Sequence, residues 1–211
     1  MPAVAWVILG VLLGVGCLFV SQRPLLAIAD DGGEASTEYS RWWLTPNAVV
    51  GGVTGWVASS GVSSRDVVLI GVVAALTVVQ APLDFATRRL SRPATLFAVG
   101  AVLITWAREA VGASRSSALT ALVIAIVVVT VYAVLHTLSP RSLGWGDVLL
   151  VAPLALSVAL VSLNGVVVWQ LLASVSGAVH AIAGRLMAGN RTIPFGPHLL
   201  FGAWLVLVAS V

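Results

Sequence analysis

What this chain has least of is charge. Only 9% of its 211 residues are Asp, Glu, Lys or Arg, and 59% are hydrophobic, whereas soluble domains carry about a quarter of their residues as charged. That composition excludes an ordinary soluble domain and implies an integral membrane protein. Lysine is missing altogether, so all 11 basic residues are arginine. Cysteine occurs once, at Cys17, which excludes an internal disulfide and a four-cysteine zinc cluster. Cys17 follows Gly16 and reads as a small packing residue. No His-Glu-x-x-His pair is present, so a zinc metalloprotease of that kind is excluded. Basic and aromatic residues are not interleaved as a nucleic-acid surface requires. The net charge of +3 therefore reads as topology and contact with membrane lipid headgroups, with no nucleic acid partner.

What is present is a series of apolar runs, at 3–21, 47–62, 67–83, 94–107, 118–138, 148–163, 165–183 and 195–211. A spanning segment must satisfy its backbone internally, and long runs without strict alternation favour helices over a barrel. The fold class expected is all-α, a polytopic transmembrane helix bundle of about eight spans. Several runs fall short of the ~20 residues a straight crossing needs, so their ends must borrow polar flanks. The weakest, 47–62, is rich in Gly and Ser; counting it as a span gives the better charge balance. With the loop after the third span cytoplasmic, that side receives Arg23, Arg41, Arg88, Arg89, Arg92, Arg141, Arg185 and Arg191. The other keeps Arg65, Arg108 and Arg115. This follows the positive-inside rule and puts both termini outside. Ala27-Ile28-Ala29 resembles a signal cleavage site, yet no basic residue precedes the first run and Arg23 follows it, so an anchor is expected. The chain divides into 1–46, an anchor span with a hydrophilic cytoplasmic loop, and 47–211, the helix bundle. Within the 22–46 loop, Trp42-Trp43 suits an interfacial anchor.

The eight acidic residues carry the functional signal. Asp30, Asp31, Glu34 and Glu38 lie in the hydrophilic loop and read as solvated. Asp66 follows Arg65 and Glu109 follows Arg108, giving each a neighbouring counter-charge. Two remain: Asp84 closes one apolar run and Asp147 opens another, both on the cytoplasmic side in this topology. Each alone could merely cap a helix at the headgroups, held by Arg88, Arg89 or Arg141. As a pair they suggest function, since ionisable groups at a membrane are costly. If two carboxylates approach within ~4–6 Å, repulsion leaves them one shared proton near neutrality. The ionised partner can take a proton from water while the protonated one hydrogen-bonds a peptide carbonyl under attack. Gly144 and Gly146, lacking Cβ atoms, would let backbone and substrate come close to Asp147. A helix-entry turn with Asp147 as N-cap is compatible with this.

Three segments then resemble one known family. Asp84–Thr95 (DFATRRLSRPAT) looks like the first-aspartate loop of the type IV prepilin peptidases, membrane aspartic proteases of the glycine-x-glycine-aspartate kind. Gly144-Trp145-Gly146-Asp147 matches the second-aspartate motif, and Ile193–Ala203 (IPFGPHLLFGA) the stretch leading into the last helix. The likeness covers about residues 47–211. It implies Asp84 and Asp147 as the catalytic pair, with Thr87, Arg88, Arg89, Gly144, Gly146, Pro194, Gly196 and Pro197 as supporting motif residues. It also implies prepilin or pseudopilin precursors as substrates, whose short basic leader is cut at the cytoplasmic border of the inner (plasma) membrane. The chain departs from the family pattern at Ser91-Arg92, where Pro-Asn is usual, and at Leu149, where Lys is common. The 22–46 loop lacks the paired cysteines of long members, so zinc binding there and methylation of the new N-terminus are not expected.

Other readings use the same or neighbouring residues. A catalytically diverged homologue, or a small proton- or cation-coupled transporter working through Asp84 and Asp147, is the alternative. Pro82 and Pro153, near the two acids, could break helices as transporters do. His136, His180 and His198 offer a metal-ligand set with the aspartates. Packed or headgroup-level histidines are the commoner outcome, and no metal or cofactor is expected. Ser176 and His180 share a helix face at i,i+4. Ser174 stands where a rhomboid-type motif has Gly, and no second helix offers a base, so serine chemistry is not expected.

Overall fold

The computed structural model describes residues 3–14, 35–139, 143–188 and 193–211, with the backbone alone for 35–42 and 187–188. Arg23, Arg141, Arg191, Cys17, Ala27-Ile28-Ala29, Asp30, Asp31 and Glu34 lie outside the described residues. The same holds for the side chains of Glu38, Arg41 and Trp42. Helices run α1 Ala3–Gly14, α2 Ala35–Ser59, α3 Ser64–Thr87, α4 Arg92–Val111, α5 Arg115–Leu138, α6 Trp145–Val161, α7 Leu163–Ala188 and α8 Gly196–Ala209. No strand occurs among the described residues. The chain is all-helical, and α3, α4, α5 and α7 are each long and apolar enough to cross a membrane.

Two of the shorter apolar helices form the middle of the bundle. Leu150, Val151, Leu154, Ala155 and Val158 of α6 are fully buried, as are Leu199, Leu200, Ala203 and Leu207 of α8. The longer helices around them turn Val123, Ile126 and Val127 (α5) and Leu171, Val175, Val179 and Ile182 (α7) outward. An apolar exterior of that extent suits lipid. A helix sheathed by other helices meets protein rather than lipid, so its length need not match the hydrocarbon thickness. This is why the short runs at 148–163 and 195–211 remain helices.

The second helix corrects the reading of the N-terminal region. It begins at Ala35, inside the stretch expected to be loop, and passes through Pro46 to Ser59. Its glycines explain the weak apolar signal. Gly10 and Gly14 of α1 face Gly51 and Gly55 of α2, where a Cβ on Gly10, Gly14, Gly51 or Gly55 would overlap a backbone carbonyl oxygen of the other helix. Small residues spaced four apart let two helix backbones touch, the usual device inside membranes.

Neither Pro82 nor Pro153 breaks its helix, as the transporter alternative would have them do; α3 and α6 run continuously through them. A proline withholds the N–H that the carbonyl four residues earlier would accept. For Pro82 that carbonyl belongs to Val78, and buried Asn47 of α2 supplies the missing donor, Nδ2 to O at 3.4 Å. At the far end of α3, Arg65 Nε pairs with Asp66 Oδ1 at 2.8 Å, and Arg65 Nη1 reaches Glu109 Oε2 at 3.6 Å. Glu109 is thus met by Arg65 across two helices, where the neighbouring Arg108 was expected.

Candidate functional site

Asp84 lies in the last turn of α3. That helix ends because Arg88 adopts the left-handed conformation (φ 54°, ψ 33°), and the Arg88 N–H donates to the Asp84 carbonyl at 2.8 Å. Arg88 is the only non-glycine residue with positive φ among those described. Thr87 caps back on its own helix, Oγ1 to the Leu83 carbonyl at 2.8 Å. The following turn is pinned by Gln80, one helical turn before Asp84 and fully buried. Gln80 Oε1 accepts from the Ser91 N–H at 2.9 Å, and its Nε2 donates to Thr95 Oγ1 at 2.9 Å. Thr95 in turn donates from its N–H and its hydroxyl to the Ser91 carbonyl, at 3.1 and 3.2 Å. Ser91 therefore contributes through its backbone.

Asp147 lies in the first turn of α6. Gly144 is the N-cap, and Asp147, three residues on, accepts the Gly144 N–H through Oδ2 at 3.2 Å. The expectation of Asp147 as N-cap is corrected: it occupies the position from which a carboxylate folds back on the cap backbone. Neither glycine is demanded by the fold. A Cβ would stand 3.4 Å from Asp147 Oδ2 at Gly144 and 3.4 Å from Leu90 Cδ1 at Gly146, ordinary contacts both.

Both acids line one cavity of about 480 Å³, together with Arg88, Arg89, Arg92 and Leu149. The two carboxylates thus share one end of the bundle. Asp84 is 6% exposed; the Gly196 backbone N–H is directed at its carboxylate, and Oδ2 has no hydrogen bond of full geometry among the described residues. Asp147 is half-buried and open to the cavity.

The Ile193–Pro197 stretch explains why Asp84 is so enclosed. Ile193 packs where Gly184 of α7 has no Cβ, and Phe195 where Gly177 has none. Gly196 is thereby set against Asp84, and Pro197 lies in the first turn of α8, where a missing N–H costs nothing. Pro194 belongs to the non-helical segment between.

The histidines do not converge on the acids. His136 Nδ1 meets the Leu143 carbonyl at 2.8 Å, while His180 Nδ1 and His198 Nε2 lie 2.9 Å apart. His198 Nδ1 is 3.0 Å from Ser176 Oγ, so a second helix does bring an imidazole to Ser176, which the sequence did not disclose. No group of three potential metal ligands occurs among the described residues. Trp43, expected as an interfacial anchor, joins an aromatic cluster with Phe85 (5.9 Å) and Phe201 (6.2 Å).

Comparison with protein families, with curated proteins and with solved structures finds no match to the chain.

Proposed function

We propose that the chain is a membrane aspartic endopeptidase in which Asp84 and Asp147 activate water against a peptide bond. Within that class, the three motif segments favour an enzyme of the prepilin peptidase kind, cutting the leader from a prepilin or pseudopilin at the cytoplasmic rim. The observation that carries this reading is the shared cavity, which holds the carboxylate ends of α3 and α6 at one end of the bundle. In the reaction, the ionised carboxylate takes a proton from water as its oxygen attacks the peptide carbonyl. The protonated partner donates a hydrogen bond to the carbonyl oxygen as charge builds there. Collapse of the tetrahedral intermediate returns a proton to the departing amine, and the pair regains its starting charge.

The same reading takes all eight helices as crossings. Arg88, Arg89 and Arg92 then border the cytoplasm, and Arg65, Arg108 and Arg115 the other side, as the positive-inside rule favours. A precursor whose apolar helix lies in the bilayer would present its cut site at the depth of the two acids. Continuous helices through Pro82 and Pro153 weigh against the transporter alternative, which favours broken helices at mid-membrane.

The test is co-expression with a candidate prepilin from the same genome. Asp84→Asn and Asp147→Asn should each stop processing while the protein accumulates normally. Normal cleavage by either variant would overturn the assignment.

A further inference from the structure

The cavity that holds the two acids is lined by more positive charge than negative. Arg88, Arg89 and Arg92 contribute three guanidinium groups, against the two carboxylates of Asp84 and Asp147. If the acids share one proton, the balance is three to one. The arginines stand on a built turn and not on a loose tail. The left-handed turn at Arg88 closes α3, buried Gln80 holds the Ser91 N–H, and Pro93 lies in the first turn of α4. All three are exposed, and neither Arg89 nor Arg92 has an ion-pair partner among the described residues.

We propose that this arginine turn is an anion subsite that receives an acidic side chain of the peptide substrate close to the cut bond. The proposal rests on the proteolytic reading above and refines it. A guanidinium group offers a planar fork of donors that a carboxylate meets with two hydrogen bonds, which makes it selective for carboxylate over an uncharged amide. The excess of positive charge attracts an anion and repels a cation, and because the arginines are exposed salt screens both effects. A basic leader is therefore held outside the arginine turn, at the headgroups, and the acidic residue enters beside the reacting carbonyl. A peptide carboxylate fits this position better than a phospholipid phosphate does. The arginines share their lining with both acids, and a lipid there would occupy the space the peptide needs.

Two arms test this. The first is binding, read by fluorescence anisotropy with the full-length Asp147→Asn chain in phosphatidylcholine nanodiscs. The probes are synthetic single-span peptides patterned on the genome's candidate prepilin, with one glutamate or one glutamine placed in turn at each of the six positions around the cut. At one or more positions the glutamate peptide should bind at least tenfold more tightly. That preference should weaken with salt, disappear in Arg89→Gln/Arg92→Gln and shrink without vanishing in Arg89→Lys/Arg92→Lys, which keeps the charge and loses the fork. The second arm is cleavage of the same peptides by the wild-type chain, where kcat/KM should follow the same preference. Equal binding of glutamate and glutamine peptides at every position overturns the proposal. So does an arginine effect that appears only with phosphatidylglycerol and ignores peptide charge, since the turn would then be a headgroup contact. Glutamate-selective binding without any cleavage leaves the subsite standing and removes the proteolytic reading.

Discussion

Gly196 lies directly against Asp84. A Cβ at position 196 would stand 2.6 Å from Oδ2 and 3.3 Å from Cγ of that carboxylate, closer than nonbonded atoms tolerate. The carboxylate is buried and has little room to turn away. Gly196→Ala should therefore displace Asp84 and lower the rate of precursor processing by about 100-fold, the scale of a 1 Å misplacement. The check is cleavage of a co-expressed prepilin, normalised to the amount of enzyme in the membrane.

Gly144 and Gly146 make the opposite case. Their neighbours would accept a Cβ at ordinary contact distance, and Gly144 has an extended backbone (φ −72°, ψ 148°) open to any residue. Gly144→Ala and Gly146→Ala should change stability by no more than about 1 kcal/mol, the size of an N-cap or helix-propensity effect. They should nonetheless lose on the order of tenfold in processing, because the added methyl groups border the space where the peptide approaches Asp147. Thermal unfolding in detergent and processing in cells, measured on the same variants, separate the two effects.

Gln80 is the residue whose loss should cost stability before chemistry. Replacing it by Leu removes both bonds that hold the Ser91–Thr95 turn and leaves a Ser91 N–H without its acceptor. The expected destabilisation is about 1–3 kcal/mol, read as a lowered melting temperature. Looser placement of the arginine turn should also weaken discrimination between acidic and neutral peptides.

The crossing of α1 and α2 is separable from the cavity, which is lined by residues from α3, α4, α6 and the turns beside them. Gly10→Leu should push α1 away from the Gly51 carbonyl and abolish cysteine crosslinking between the two helices. Processing by the cavity should survive within a few-fold, as expected for sites that do not share contacts.

Much of the fold was legible because lipid imposes a simple rule: every apolar run must satisfy its own backbone, so runs become helices. The rule reads runs and not partners. It therefore missed the start of α2, where Ala35 to Pro46 is too polar to look like part of an apolar run yet is helical and continuous with one. It also missed that the two short runs are the central helices, since burial by protein and burial by lipid leave the same composition. The site was legible through scarcity. Asp84 and Asp147 stood out as acids without an arginine directly beside them in the sequence, and they face one cavity. Gln80 was not noticed, although a lone amide one turn before Asp84 in an apolar run was a usable signal. The meeting of His198 with Ser176 depends on how α7 and α8 pack, and no local pattern encodes that.

The most direct measurement is a double-mutant cycle on cleavage. Single-turnover rates are compared for the wild type, Asp84→Asn, Asp147→Asn and the double variant, with one precursor in one lipid. Two carboxylates acting as a unit predict that each single change costs about as much as both together, because one acid without the other has no chemistry to perform. Losses that simply multiply, or a single variant that retains the wild-type rate, would contradict a working pair.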